Sequence, residues 1–221
     1  MFDCHRHLTS SPAREDALYC SYKKNEWNQS APFFSLGYLA LEETIDIHSL
    51  LCDMEEKIAS NPQVSIGEVG IDRRIPHMDV QIKIFQEILH LAVQYQRTLT
   101  LHVVRETGGA IDLLKNQKQL PPLVIWHGFT GSIETAKELR KLGVEISLRP
   151  QVTRTKLVHH LEELNQLGFI LETDWSGEND NGYEEVLNNH VKTMRELSNN
   201  EYIEEKCDDI RSILKDLQTN R

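Results

Sequence analysis

The stretch Val64-Ser65-Ile66-Gly67-Glu68-Val69-Gly70-Ile71-Asp72 is a mainly apolar run with one internal carboxylate, Glu68, between two glycines. Apolar residues then recur at helical spacing from Val80 to Tyr95, and a second apolar run covers Thr98 to Val104. A strand, an amphipathic helix of this length and another strand predict a parallel βαβ unit. The central pattern of the chain is therefore that of an α/β protein.

The same alternation extends toward both ends of the chain. Further strands are predicted at the start of the chain and at 17–22, 32–38, 123–129, 144–148 and 169–174. Further helices are predicted from Thr44 to about Ile58, at 110–115, 133–142 and 155–167, and twice within 183–217. No helical pattern separates the first three strands. Eight strands predict a (β/α)₈ TIM-type barrel with shortened first two units, formed as one domain over residues 1–221.

A doubly wound open sheet is the structural alternative to the barrel. Such sheets bind nucleotides through a glycine-rich loop directly after the first strand. No such loop follows the first strand here, so the barrel is the preferred prediction.

Composition limits the environment and the partners of the protein. The net charge of −10 over 221 residues argues against a broad basic surface for duplex DNA. No apolar run approaches the roughly 20 residues of a membrane span, and no secretory signal is visible at the start. A cytoplasmic protein with no membrane segment is therefore expected, and its cysteines are predicted to be reduced thiols: Cys4, Cys20, Cys52 and Cys207.

The first predicted strand carries two histidines, His5 and His7, in the segment Met1-Phe2-Asp3-Cys4-His5-Arg6-His7-Leu8. Side chains at positions i and i+2 of a strand point to the same face, so the two imidazoles would stand side by side. Neutral imidazole is a good ligand for zinc, iron, nickel or manganese. The pair is thus better explained as two ligands of one cation than as a general base and a residue that assists it.

Ligand-type residues also stand at the ends of four later strands. They are Glu68, His102, His127 and Asp174. Because functional residues of a parallel barrel gather at the carboxyl ends of its strands, these groups and the histidine pair should form one cluster. Four histidines and two carboxylates can hold two metal ions if one carboxylate bridges them.

Each of these residues has a simpler explanation when it is considered alone. Glu68 can instead pair with Arg73 or Arg105, and Asp174 can cap the segment that follows its strand. The histidines at the ends of later strands can be core residues satisfied by backbone carbonyls. Five strand ends that all present metal ligands nevertheless favour a metal site.

In its motifs the chain resembles the TatD-like metal-dependent hydrolases, usually described as deoxyribonucleases, within the amidohydrolase-type barrels. The matching segments, in order, are Asp3-Cys4-His5-Arg6-His7-Leu8, Gly67-Glu68-Val69-Gly70-Ile71-Asp72, Leu101-His102-Val103-Val104-Arg105, His127-Gly128-Phe129-Thr130-Gly131-Ser132 and Glu172-Thr173-Asp174. The resemblance implies a barrel of the metallo-dependent hydrolase type. It also implies one to two divalent ions, with Zn, Mg, Mn, Ni and Fe as candidates.

The same resemblance implies a role for each ligand. His5, His7 and Asp174 would hold one metal ion, His102 and His127 a second, and Glu68 would bridge them. A metal-held water would act as the nucleophile, with Asp174 placed to take its proton. Glu68 and Asp174 are therefore the predicted catalytic residues.

The chain departs from the family pattern on an early strand. Relatives usually carry a Gly-x-His-Pro element, and the corresponding place here reads Gly37-Tyr38-Leu39-Ala40. Trp175 and Ser176 also follow Asp174 where a proline is common. These departures affect the predicted substrate more than the predicted chemistry, because none of them removes a predicted ligand.

The function predicted from the sequence is hydrolysis of phosphodiester bonds in DNA, at single-stranded ends. Arg73 and Arg105, together with Lys23, Lys24 and Arg74, are the candidate phosphate contacts. An amidase or lactonase on the same scaffold is one alternative, since a fold does not fix a substrate. A catalytically silent barrel that binds a partner through its acidic C-terminal helices is the other.

Overall fold

The computed structural model describes residues 1–41 and 45–219, and its strands form an eight-stranded parallel sheet in sequence order. The strands are β1 (Asp3–Arg6), β2 (Ala17–Cys20), β3 (Phe34–Tyr38), β4 (Ser65–Asp72), β5 (Leu99–Val104), β6 (Val124–Trp126), β7 (Val144–Leu148) and β8 (Ile170–Leu171). Beyond β8, the amide of Asp174 donates to the carbonyl of His5 at 3.0 Å, and the amide of His7 donates to the carbonyl of Trp175 at 2.8 Å. These bonds join the last strand to the first, so the sheet is a nearly closed barrel and the predicted fold is confirmed.

Helices lie between the later strands and after the last one. They are α1 (Ile47–Ser60), α2 (Met78–Gln94), α3 (Thr107–Lys115), α4 (Ile133–Lys141), α5 (Leu161–Leu167), α6 (Tyr183–Ser198) and α7 (Ile203–Thr219). Thr44, where the first helix was expected to begin, lies outside the described residues. Between β1 and β3 the structure has a single 3₁₀ turn, Lys24–Glu26, so the first two units are shortened as predicted. Within the described residues, no helix is both long and apolar enough to cross a membrane.

Helix α7 covers the seam where the barrel closes. Its buried residues recur at helical spacing: Ile203, Cys207, Ile210 and Leu214. The Sγ atom of Cys207 accepts a hydrogen bond from the amide of Leu171 in β8 at 3.2 Å, and Asp208 accepts one from the amide of Phe2 at 2.9 Å. Contacts to both strands explain why a helix without a following strand belongs to the barrel.

The segment predicted as a helix at 155–167 is helical over only part of that length. Two 3₁₀ turns, Pro150–Arg154 and Lys156–His160, precede α5. Between them Thr155 is extended, with φ −106° and ψ 163°. Its hydroxyl donates to the carbonyl of Val152 at 2.8 Å. This local side-chain bond closes the first turn and competes with continuous α-helix.

Glycines allow β3, β4 and β5 to approach one another around Glu68. A Cβ atom on Gly37 would lie 1.9 Å from the amide nitrogen of Glu68, and one on Gly70 would lie 2.0 Å from the carbonyl oxygen of His102. Any side chain at either position would push the neighbouring backbone away. The two glycines therefore keep Glu68 and His102 on adjoining strands at close range.

Candidate metal centre

The structure brings all six predicted ligands to the carboxyl ends of the strands. His5 lies in β1 and His7 directly after it, while Glu68 and His102 lie in β4 and β5. The remaining two follow β6 and β8: His127 and Asp174. The carboxyl ends of parallel strands in a barrel meet at one face, which explains why residues far apart in sequence converge.

Glu68 lies between the two groups of ligands. Its Oε2 atom is 3.7 Å from Nε2 of His5 and 3.8 Å from Nε2 of His7. Its Oε1 atom is 3.1 Å from Nε2 of His127 and is in close contact with Nδ1 of His102. One carboxylate thus presents a different oxygen to each pair of histidines.

Asp174 completes the group formed by His5 and His7. Its Oδ1 atom is 3.4 Å from Nε2 of His7 and 3.8 Å from Nε2 of His5. Its Oδ2 atom accepts a hydrogen bond from Nη1 of Arg149 at 2.9 Å. The two carboxylate oxygens therefore have separate partners, histidines on one side and a guanidinium on the other.

Three of the four histidines are oriented by a bond to the ring nitrogen that faces away from Glu68. Nδ1 of His7 is 2.8 Å from the carbonyl oxygen of Cys20. Nε2 of His102 is 3.2 Å from Oδ2 of Asp72, and Nδ1 of His127 is 3.0 Å from Oε1 of Glu172. Metal-ligating histidines are commonly held this way, because the outer bond fixes the tautomer and turns the other nitrogen toward the ion.

His5 provides the test of whether a metal fits. Its side chain is fully buried, and neither ring nitrogen has a hydrogen-bond partner among the described residues. A buried polar group without a partner is costly, and a cation held with the carboxylates of Glu68 and Asp174 would satisfy Nε2. In each of three ligand sets the donor atoms lie within 4.8 Å of one another: His5, His7 and Asp174; Glu68, His102 and His127; and His5, His127 and Glu172. The residues present therefore fit divalent metal.

The charge states also suit ligation. Burial raises the pKa of Glu68, but His127 and His102 outweigh burial and hold that pKa well below its usual range. Burial likewise opposes ionisation of Asp174, and the hydrogen bond to His7 and the charge of His5 bring its pKa down. Burial lowers the pKa of His5 to about 4. Both carboxylates are thus ionised and His5 is neutral near pH 7, as ligands must be.

His127 behaves differently from His5. Burial acts to lower its pKa, but the charges of Glu172 and Glu68 raise that pKa well above the ordinary value. An ion that binds its Nε2 must displace a proton, which couples metal affinity to pH at this position.

The simpler explanations given above for Glu68, His102 and His127 do not describe the structure. Arg73 pairs with Glu106 at 3.4 Å rather than with Glu68. His102 and His127 contact carboxylates on their outer nitrogens rather than backbone carbonyls.

Three residues at the centre were not selected from the sequence: Asp72, Glu172 and Arg149. The first two lie inside the motifs quoted above, and each is an even number of positions from a predicted ligand, so strand alternation places them near it. Arg149 directly follows β7, the one later strand whose end offered no metal ligand. Its position at the end of a strand could therefore have identified Arg149 as a residue of the site.

A cleft of 570 Å³ opens at the cluster, and Arg74 is the one candidate phosphate contact among its described lining residues. Its lining includes Tyr22, Leu39, Leu41 and Arg74 next to the predicted ligands. Leu39 also borders a neighbouring cavity of 660 Å³ whose wall includes Lys23 and Lys24. Leu39 thus lies in the wall of the cleft.

The candidate phosphate contacts differ in how free they are. Lys24 pairs with Asp53, and Arg73 is held by Glu106. Arg105 is exposed and lines a separate cavity of 440 Å³ beside His102 and His127.

A parallel barrel with clustered histidines and carboxylates at the carboxyl ends of its strands is the architecture of metal-dependent hydrolases. The sequence matches the family model described as "TatD related DNase" over residues 39–216. The chain belongs to this family. His5 and His7 precede the matched region, and the other four predicted ligands lie within it.

Curated relatives are named metal-dependent hydrolases. YjjV of Escherichia coli K12, an uncharacterized metal-dependent hydrolase, is 28% identical over 145 residues, which are 62% of this chain and 54% of YjjV. YabD of Bacillus subtilis, with the same description, is 28% identical over 126 residues, or 55% of this chain and 49% of YabD. The chain spans about half the length of the curated relatives it matches. With the ligand sets described above, these names confirm the predicted use of divalent metal ions.

Solved structures of related proteins have the same fold. The crystal structure of YjjV, a TatD homolog from Escherichia coli K12, matches with a TM-score of 0.67 at 22% identity, covering 91% of this chain and 83% of that one. A TatD family hydrolase from Entamoeba histolytica matches with a TM-score of 0.57 at 15% identity, covering 72% and 60%. Both confirm the barrel.

Proposed function

We propose that the protein is a divalent-metal-dependent deoxyribonuclease that hydrolyses phosphodiester bonds at single-stranded DNA ends. The observation that supports this most is the position of Glu68, whose two oxygens face different histidine pairs. A carboxylate so placed can hold two cations, and two-metal sites are common in nucleases and phosphatases. The family description points to the same reaction.

The assignment of ligands follows two of the three sets in the structure; the third, His5, His127 and Glu172, shares a histidine with each of them. His5, His7 and Asp174 would hold one ion, His102 and His127 a second, and Glu68 would contact both. Bound divalent ions supply Lewis acidity and an activated water at neutral pH. Glu68 and Asp174 are the proposed catalytic residues.

Asp174 is the proposed proton acceptor. Both carboxylates line the cleft, but the side chain of Asp174 is 25% exposed and that of Glu68 only 4%. A carboxylate at the boundary between cluster and cleft can reach both a nucleophile and solvent. Arg149 holds its Oδ2 atom at 2.9 Å and so fixes the orientation of the group.

The preference for single-stranded ends rests on the cleft and the charge. The cleft is lined by apolar side chains next to the cluster, among them Tyr22, Leu39 and Ile75. Such a surface suits an unpaired base, while a net charge of −10 opposes a long polyanion at low salt. Arg105 is the main proposed phosphate contact, because Arg73 and Arg74 are each held by a carboxylate, that of Glu106 or Asp72.

The test is hydrolysis by protein loaded separately with Zn, Mg, Mn, Ni or Fe. Single-stranded DNA, long duplex DNA and a panel of amides and lactones would be compared across a salt series. We expect turnover of single-stranded ends to exceed that of long duplex, with a shallow salt dependence. His5→Ala and His7→Ala should lower both turnover and bound metal, whereas His90→Ala, at an exposed position of α2, should change neither.

Other outcomes identify the alternatives. Turnover of an amide or lactone without any DNA hydrolysis would make the protein a small-molecule hydrolase. Metal binding with no turnover of any substrate would favour the binding barrel. Processive digestion of long duplex with a steep salt slope would contradict the proposed preference for ends.

A cytoplasmic location and a single domain over residues 1–221 are part of the same proposal. The four cysteines are unpaired, and three of them are buried, at positions 4, 20 and 207. Free buried thiols are usual in reducing compartments. Fractionation of cells and limited proteolysis of the purified protein would test the two statements.

A further inference from the structure

A second cavity, of 440 Å³, lies beside the metal centre and contains three arginines: Arg74, Arg105 and Arg149. We call it the arginine lobe. Two of these arginines, Arg74 and Arg149, also line the cleft, as do His102 and His127. The two cavities therefore meet at the predicted metal ligands, and a bound molecule can extend from one into the other.

The arginine lobe is basic in a protein of net charge −10. Its described lining residues include no aspartate or glutamate. Arg74 is neutralised in part by Asp72, and Arg149 by Asp174. Arg105 forms no ion pair with any residue in 1–41 or 45–219 and is exposed. It is thus the cation of the lobe that is free to meet a ligand.

The backbone around Arg105 is unusual in a way that supports a binding role. Arg105 has φ of 57°, in the left-handed region that residues with a Cβ rarely adopt. It stands where β5 ends and α3 begins, and Thr107, the first residue of α3, also lines the lobe. Strained positions of this kind concentrate at functional sites.

The start of α3 adds further donors. Its N-cap residue, Glu106, makes no side-chain capping bond and instead pairs with Arg73. The first amides of a helix without a side-chain cap carry partial positive charge and bind anions. Arg105, which has no carboxylate partner among the described residues, and Thr107, the first residue of α3, thus line one cavity.

We infer that the arginine lobe binds a second phosphate of the substrate, the one adjacent to the scissile phosphodiester, and that Arg105 is its main contact. This rests on the proposed function. Every nucleotide of a strand carries a phosphate, so one group at the metal ligands places the next one close by. Guanidinium groups match the geometry of phosphate oxygens and are never deprotonated. The lobe therefore determines a specificity for ends that retain a terminal phosphate.

The experiment compares three thymidine dinucleotides with the metal-loaded protein: one without a terminal phosphate, one with a 5′-phosphate and one with a 3′-phosphate. We expect kcat/KM for one phosphorylated form to exceed that for the unphosphorylated form about tenfold or more, since a hydrogen bond to a charged group is worth that much. The preferred form shows which end of the strand enters the lobe.

Variants of the lobe make the test specific. Arg105→Gln should reduce turnover of the phosphorylated form about tenfold more than that of the unphosphorylated form. Arg105→Lys should keep part of the preference for the phosphorylated form, because it keeps the positive charge but loses the planar guanidinium that can donate two parallel hydrogen bonds. Arg154→Gln is the matched control, since Arg154 is exposed and lines neither cavity. Equal turnover of the three dinucleotides, or an equal loss on all of them in Arg105→Gln, would overturn the inference.

Binding of thymidine 3′,5′-bisphosphate, measured by calorimetry, separates this inference from the proposed function. If no dinucleotide is cleaved but Arg105→Gln weakens bisphosphate binding while Arg154→Gln does not, the deoxyribonuclease proposal fails and the phosphate site stands. If the dinucleotides are cleaved and Arg105→Gln leaves bisphosphate binding unchanged, the phosphate site fails and the deoxyribonuclease proposal stands.

Discussion

The two halves of the metal centre are held in different ways. In the β5–β6 half, formed by His102 and His127, each outer ring nitrogen contacts a carboxylate, that of Asp72 or Glu172. In the β1–β8 half, formed by His5, His7 and Asp174, the only outer contact of an imidazole is the backbone carbonyl of Cys20, and the described residues offer His5 no partner.

The difference shows how much each half depends on a bound ion. The carboxylates orient the histidines of the β5–β6 half before any metal arrives, which lowers the cost of ligation. The β1–β8 half contains a buried imidazole, that of His5, whose Nε2 atom a bound ion would satisfy. Removal of metal should therefore loosen the β1–β8 half more than the β5–β6 half.

The largest effect is expected from Glu68→Gln, because Glu68 joins the halves. Glutamine keeps the shape but removes the charge that faces four imidazoles. Two-metal activation is worth several kcal/mol, so kcat/KM should fall about 10,000-fold or more. Elemental analysis should show less than the wild-type metal content. Wild-type turnover in this variant would mean that the two halves act independently.

Asp174→Asn should have the next largest effect, and it tests the β1–β8 half alone. The amide oxygen can still ligate, but it is a far poorer proton acceptor. Turnover should fall about 100- to 1,000-fold while at least one ion stays bound. Turnover and metal content measured on the same preparation test this prediction. Full activity would remove Asp174 from the mechanism.

The β5–β6 half can be weakened by substitutions that leave the six proposed ligands themselves unchanged. Glu172→Gln and Asp72→Asn each remove an outer carboxylate and should lower metal affinity about 10- to 100-fold. His7 offers no such substitution, because its partner is a backbone carbonyl. Competition with a chelator measures the affinity. If both variants lower protein stability but leave metal affinity unchanged, the carboxylates do not orient the histidines.

Much of this arrangement was predictable from the sequence because the later βα units are regular. Apolar runs ended by His102, His127 and Asp174 gave strand ends, and a barrel gathers its strand ends at one face. The cluster follows from those two facts. The TatD family, the barrel and the use of divalent metal are confirmed by the comparisons and the structure.

Other features depend on side-chain directions that no local pattern encodes. The pairing of Arg149 with Asp174 joins the ends of β7 and β8, and strand spacing alone does not say which arginine reaches which carboxylate. At the start of the segment predicted as a helix at 155–167, the amide and the hydroxyl of Thr155 both donate to the carbonyl of Val152. The described residues offer the imidazole of His5 no hydrogen-bond partner, which no sequence pattern indicates because it depends on every strand around that side chain.

The smallest effect concerns His190, a buried histidine outside the centre that serves as a reference for both halves. It is 3% exposed, and its Nε2–H donates to the carbonyl of Leu148 at 2.8 Å. The described residues thus give it a backbone partner like that of His7. Burial lowers the pKa of His190, against smaller opposing effects of the Leu148 hydrogen bond and Glu172.

A lowered pKa in the folded state has a definite sign for stability. As pH falls, the unfolded chain takes up a proton at the ordinary histidine pKa while folded His190 stays neutral, so its contribution to stability is present above that pKa and lost below it. His190→Gln can keep the bond to Leu148 through its amide N–H and does not titrate. Between about pH 7.5 and about pH 5.5, the free energy of unfolding of the wild type should therefore fall more than that of the variant, by at most about 1.4 kcal/mol per pH unit. Urea unfolding at the two pH values measures this difference. The metal-site histidines are present in both proteins, so their titration cancels in the comparison. An equal decline in both would mean that His190 takes up its proton without penalty, and that burial alone does not keep a histidine neutral in this barrel.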